Sequence, residues 1–212
     1  MAPAMPNHAT RGIGGTMGYL DTLGRVMKGD FGAASDEEKA AAAHEVIQVC
    51  AVAAAAVTIQ PFPVADVLLL SPIQIGMVQA IGRIHGRTLD KKTVLEILST
   101  VGASILAQNV IMAAAKLIPV LGSVVAMSMG YALTYAIGEV SDLYFKHGSA
   151  LSSSELKSRF RSIYETKKKE KEHAAKDPKL KEKLDALNKA FEAGVLSKEE
   201  FEAKKEEVLK GF

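Results

Sequence analysis

The chain has 212 residues, 48% of them apolar, with no Trp, a single Cys and a formal net charge of +2. That length allows one ordinary domain with extensions, and the apolar content is enough for a sizeable core. A lone cysteine, Cys50 in an apolar run, excludes a disulfide framework and points to a reducing compartment. The opening MAPAMPNHATRG lacks the basic-then-apolar pattern of a secretory signal, so a cytoplasmic location is expected, at the inner face of the cell membrane.

The small net charge hides an asymmetry. Residues 40–150 carry 12 charges, six of each sign, whereas residues 153–212 carry 16 basic and 13 acidic side chains. Such a step marks a boundary between modules. We divide the chain into a flexible segment (1–34), an apolar helical domain (35–150), a charged linker helix (151–177) and a terminal hairpin (178–212). Few aromatics and abundant Ala, Gly and Met favour helix packing over a sheet. The expected fold is all-α, a helical bundle or hairpin core followed by the linker helix and a helix–turn–helix hairpin.

Two glycine-rich stretches open the chain. GIGGTMG at Gly12–Gly18 has no strand before it and the wrong spacing for a dinucleotide fingerprint. GRVMKGD at Gly24–Asp30 has Asp30 where a P-loop needs Lys. Met17, Leu20, Leu23 and Met27 offer one short interfacial helix at best. Ser35-Asp-Glu-Glu38 is a capping box that starts a helix predicted over 36–59, which Pro61-Phe-Pro63 stops. Asp66 is read as a cap for the next helix, and Pro72 as its start or kink, with helix over 73–85 ending near Gly86. His85 reads as a solvent-facing residue at that helix end, because no Cys, Asp or second His stands at metal spacing around it.

The stretch from Glu96 to Glu139 has one internal charge, Lys116, and Pro119 splits it into two arms of roughly bilayer length. Helices are predicted over 91–115 and 120–146. The first arm carries a narrow polar stripe, Glu96, Thr100, Ser104 and Gln108. The second places Gly122, Ala126, Gly130, Thr134 and Gly138 four apart on one face, a groove along which another helix can approach closely.

KLIPVLGSVV and LTYAIGEVSDLYFKHG, with Pro63, Asp66, Pro72, Gln74, Met77, Gly86 and Pro119, resemble the bacterial domain of unknown function 697. This is the helical module of YcjF-type proteins. The resemblance covers residues 46–148 and implies an all-helical fold often found beside P-loop GTPase domains. This sequence carries no GTPase motif, so the resemblance implies a GTPase supplied by another protein.

Ser152-Ser-Ser-Glu155 starts a helix predicted over 154–175, whose Lys167–Lys176 part reads as a solvated spacer because glutamates are interleaved and aromatics absent. Asp177-Pro178 starts a helix over 178–193, Gly194 stops it, and Ser197-Lys-Glu-Glu200 starts another over 198–209. Leu184, Leu187, Phe191, Leu196, Phe201 and Leu209 fall on the inner side of this hairpin. LDALNKAFEAGVLSKEEFEAKKEEVL resembles the short C-terminal domain called SHOCT, which implies an assembly or docking module.

No catalytic, cofactor-binding or metal-ligating set emerges, and an enzyme is not expected. The sequence reads as a membrane-associated, self-assembling scaffold or adaptor. The alternative is a soluble helical oligomer using the same apolar faces as protein interfaces. Expected partners are a second copy of the chain, membrane lipid and a GTPase in trans. Nucleic acid is set aside, because the basic cluster is charge-balanced and lacks stacking aromatics.

Overall fold

A computed structural model describes residues 17–58, 65–101 and 121–209, in which eight α-helices and one 3-10 turn occur and no strand. The helices are α1 (Met17–Lys28), α2 (Asp36–Val57), α3 (Ala65–Ile84), α4 (Lys91–Val101), α5 (Leu121–His147), α6 (Ser153–Ala174), α7 (Pro178–Glu192) and α8 (Lys198–Leu209). The all-α expectation holds for every described residue.

Local chemistry fixes most helix ends. Ser35, Ser152 and Ser197 each accept from the backbone N–H three residues on, while Glu38, Glu155 and Glu200 reach back to the serine N–H at 2.8–2.9 Å. These reciprocal bonds satisfy donors that a helix start leaves free. Asp177 accepts from the Lys179 N–H at 3.0 Å, with Pro178 as the first helical residue. Gly86, Gly148 and Gly194 take positive φ values of 73°, 59° and 70° at three helix ends, where a side chain would be strained.

Long-range packing organises the bundle around α5, which lies against α2, α3 and α6. Gly130 faces Ala54 and Thr58 while Gly138 faces Ile47, so α2 and α5 run antiparallel. Gln74 bonds Thr134 and His85 bonds Asp142, so α3 runs the same way as α5. Lys171 sits on Tyr131 and Lys167 on Tyr135, which makes α6 antiparallel to α5. The core joins Val46, Ile47 and Cys50 of α2, Met77, Val78 and Ile81 of α3, Leu133, Ile137 and Val140 of α5, and Leu156, Phe160 and Tyr164 of α6.

Three expectations change. Residues 17–28 form a helix packed on α2 and α3, and are not part of a flexible segment. Thr22 and Val26 are buried there, whereas Leu20 and Met27 of the anticipated stripe face outward at 56% and 44% exposure. The α1 pattern is short, and tertiary contact chose a face one step round from the apolar one. Helix α3 begins at Ala65 rather than at residue 73, so Pro72 lies inside it and does not start it. Finally, α6 is no solvated spacer. Lys171 and Ala175 are buried, and α6 packs along α5 as extensively as α2 does among the described residues.

Candidate functional site: the faces of α5 and the terminal hairpin

The small-residue face of α5 takes α2 of the same chain. A Cβ on Gly130 would come 2.7 Å from Thr58 Cγ2 and 3.2 Å from the Ala54 carbonyl oxygen. One on Gly138 would come 2.6 Å from Ile47 Cγ1 and 3.2 Å from Met77 Sδ. Ala126 and Thr134 are fully buried, and the Thr134 hydroxyl accepts from Gln74 Nε2 at 3.3 Å. The Thr58 hydroxyl donates to the Ala55 carbonyl at 2.7 Å, which satisfies it inside the contact. Gly122 stands in the first turn of α5, whose side-chain surroundings lie outside the described residues.

The other face of α5 is aromatic and is covered by lysines of α6. The rings of Tyr131 and Tyr135 stack at 5.9 Å. Lys171 Nζ stands 4.2 Å from the Tyr131 centroid, and Lys167 Nζ stands 4.9 Å from that of Tyr135. An ammonium over an aromatic face is attracted by the ring quadrupole. Lys167 also pairs with Glu170 at 2.8 Å, and the Tyr131 hydroxyl donates to Gln48 Oε1 of α2 at 2.7 Å. Burial, reinforced by Glu170, pushes the Tyr131 phenol up to about 12. Burial raises Tyr135 too, with Glu139 next in effect. Desolvation lowers Lys171.

At the far end of α5, His85 Nε2 lies 2.7 Å from Asp142 Oδ1, with side chains 13% and 22% exposed. The solvent-facing reading of His85 is therefore corrected. Its partner is 57 residues away in sequence, which spacing rules do not reach. Asp36, Lys39, Phe145, Lys146 and His147 line the same cavity of about 280 Å³. The pair ties α3 to α5. His44 and Glu139 make a similar, looser contact at 4.0 Å. Among the described residues no three metal-ligating side chains converge. Cys50 is buried, and burial raises its thiol to about 12, which leaves it protonated and unreactive.

Other singled-out positions are scattered. Gln74 and Met77 are buried against α5, Pro72 is exposed on α3, and Gly86 ends that helix. Asp66 lies in the first turn of α3, its side chain undescribed. Pro63, Ser104, Gln108, Lys116 and Pro119 lie outside the described residues. Gly24 is helical within α1, so GRVMKGD forms no loop up to Lys28.

In the hairpin, Phe191 and Phe201 stack at 4.5 Å. Phe201 and Leu209 are buried, whereas Leu184, Leu187, Phe191 and Leu196 are half-buried, and α7 holds no fully buried residue. Helix α8 packs on α2, and Leu209 joins the main core. The inner side of the hairpin is thus shared with the bundle.

The profile of the family described as Domain of unknown function (DUF697) matches residues 32–168. The chain belongs to this family. No curated protein and no solved structure matches the chain. The DUF697 match extends beyond residues 46–148 at both ends. It takes in all of α2 and most of α6, the helices that pack on the two faces of α5. Within DUF697 as it occurs here, most of the charged helix belongs with the apolar ones, across the boundary expected at residue 150.

Proposed function

We propose that this DUF697 chain is a non-enzymatic helical scaffold that works at a membrane surface as a folded bundle. The observation that carries the reading is the uneven placement of charge along α2 and α5. Described residues 46–57 of α2 and 121–138 of α5 contain no Asp, Glu, Lys or Arg. Because α2 and α5 are antiparallel, these stretches share one end, where Val52, Val57, Ile75 and Val125 are half-buried apolar residues. The opposite end holds His85–Asp142, His44–Glu139 and Arg87 over Phe145. Helix α2 is also long and apolar enough to cross a membrane, although half of that stretch is buried within the protein.

The packing of α6 argues against insertion of α5 as a separate arm. Insertion would either carry Lys167, Glu170 and Lys171 into hydrocarbon or strip α6 from its aromatic seat. Attachment of the intact bundle costs neither. The terminal hairpin, which resembles SHOCT, supplies the docking element in this reading, and a P-loop GTPase from another protein is the partner that the family resemblance suggests. Flotation with neutral phosphatidylcholine vesicles tests the surface role. Full-length protein rising with the vesicles supports it, and protein left at the bottom of the gradient contradicts it.

The burial of α5 by α2, α3 and α6 favours a second reading, a soluble module whose contacts are all to protein. In that case the protein stays at the bottom yet self-associates in sedimentation, and loses that association without residues 178–212.

A further inference from the structure

The junction of α6, α7 and α8 forms an open cavity of about 600 Å³ lined by His173, Ala174, Lys176, Asp177, Lys179, Leu180, Lys183 and Val208. With His173 neutral, three lysines against one aspartate give the lining a charge of +2. The aspartate is already engaged, since its Oδ1 accepts from the Lys179 N–H at 3.0 Å. The lysines are not. Elsewhere in this charge-balanced region Lys167, Lys168 and Lys205 pair with Glu170, Glu172 and Glu202 at 2.8–3.9 Å. Lys176, Lys179 and Lys183 have no ion pair with a described carboxylate. Three lysines around one hollow, with a single carboxylate among them, set a positive potential there that favours an anion. Leu180, Val208 and Ala174 add an apolar wall beside the cations.

We propose that this cavity binds a phosphate-bearing anion, with the lysines on the phosphate oxygens and the less polar part of the ligand against Leu180 and Val208. Lysine suits phosphate as a compact charge with three donors. Either the headgroup of an anionic phospholipid or a soluble phosphate compound supplies this chemistry. Because α6 runs antiparallel to α5, its C-terminal end, where the cavity begins, lies toward the N-terminal half of α5, which carries no charge of its own. The proposal does not rest on membrane attachment, since a soluble anion would fill the site equally well.

The test is calorimetric titration of the full chain at about 0.1 M salt with inorganic pyrophosphate. A second arm uses vesicles containing phosphatidylglycerol, and a third uses vesicles of phosphatidylcholine alone. Lys176→Gln, Lys179→Gln and Lys183→Gln together remove the lining cations, and a control changes Lys157, Arg159 and Arg161 of α6 to Gln. All six positions are exposed, and a thermal melt verifies that both variants fold. We expect the cavity variant to bind at least about tenfold more weakly while the control binds as the parent does. Binding of pyrophosphate identifies a soluble source, and binding to phosphatidylglycerol vesicles in excess of that to phosphatidylcholine vesicles, without binding of pyrophosphate, identifies a lipid one. Equal loss in both variants, or no binding by the parent in either anionic arm at millimolar concentration, overturns the proposal.

Discussion

The bundle centred on α5 and the α7–α8 hairpin show opposite relations between local signal and tertiary support. In the hairpin nearly every end is written in the sequence: Asp177 and Pro178, Gly194, then Ser197 with Glu200. Yet α7 has no fully buried residue, and the hairpin leans on α2 through α8. In the bundle, α5 has few local signals and is buried almost continuously from Ala126 to Ser141. Caps place a helix along the chain, whereas burial across several neighbours holds it in the fold. Clear boundaries and strong packing are separate properties here.

The sharpest way to break the comparison is to remove one buried aromatic from each region. Phe160 is buried and stacked on Tyr164 at 6.2 Å, so Phe160→Ala should cost about 3–5 kcal/mol in chemical denaturation, read as a shifted midpoint of the whole transition. Phe201 is equally buried, but in the weaker unit. Phe201→Ala should therefore open the hairpin locally, with cleavage by added protease near Gly194 and a main transition moved by less than about 1 kcal/mol. Equal global losses from the two changes would erase the distinction.

Next comes the small-residue face. Gly130→Leu must displace Thr58 and press on the Ala54 carbonyl, which is backbone and yields little. The expected cost is roughly 1–3 kcal/mol or more, measured as a lower melting temperature. An unchanged melt would mean that α2 does not seat on this face.

The alkaline limb of stability sharpens the picture of the core further. Burial raises Cys50, Tyr131, Tyr135 and Tyr164, so each is held protonated in the fold beyond its value in the unfolded chain. Their contributions are full below the ordinary thiol range, about 8.5, and decline as pH rises through it and then through about 10. Lys171 acts with the opposite sign, since its lowered folded value favours the fold as pH approaches the ordinary lysine range. Four groups against one should give net loss above about pH 9, with tyrosinate absorbance appearing late. Stability that rises from pH 9 to 11 would contradict the burial of these rings.

The smallest effect concerns the caps. Ser35→Ala and Ser197→Ala each remove one side-chain acceptor and should cost about 1 kcal/mol in their own unit. The first is expected in the global transition and the second in hairpin opening measured by hydrogen exchange.

These contrasts also explain what was legible in the sequence. Ser35, Ser152, Ser197, Pro178 and Gly194 act through neighbours within a few residues, so their roles can be read directly. The four-residue spacing of Ala126, Gly130, Thr134 and Gly138 revealed a packing face but not its occupant, which is set by Ile47 and Ala54 more than 70 positions away. Separations of 57 and 40 positions likewise hid His85–Asp142 and the seating of Lys171 on Tyr131. Charge patterning misled for α6. Its lysines looked solvated, but a long aliphatic stem lets Lys171 lie along an aromatic wall while keeping its charge satisfied.

Alkaline carbonate washing of membranes from cells expressing the full chain tests the central claim most directly. The protein is expected to sediment with membranes before the wash and to be released by it, as an intact bundle held at the surface would be. Protein that resists the wash would show an integrated arm, and so contradict the retention of α5 between α2 and α6. Protein absent from the membrane fraction before washing would contradict the surface role itself.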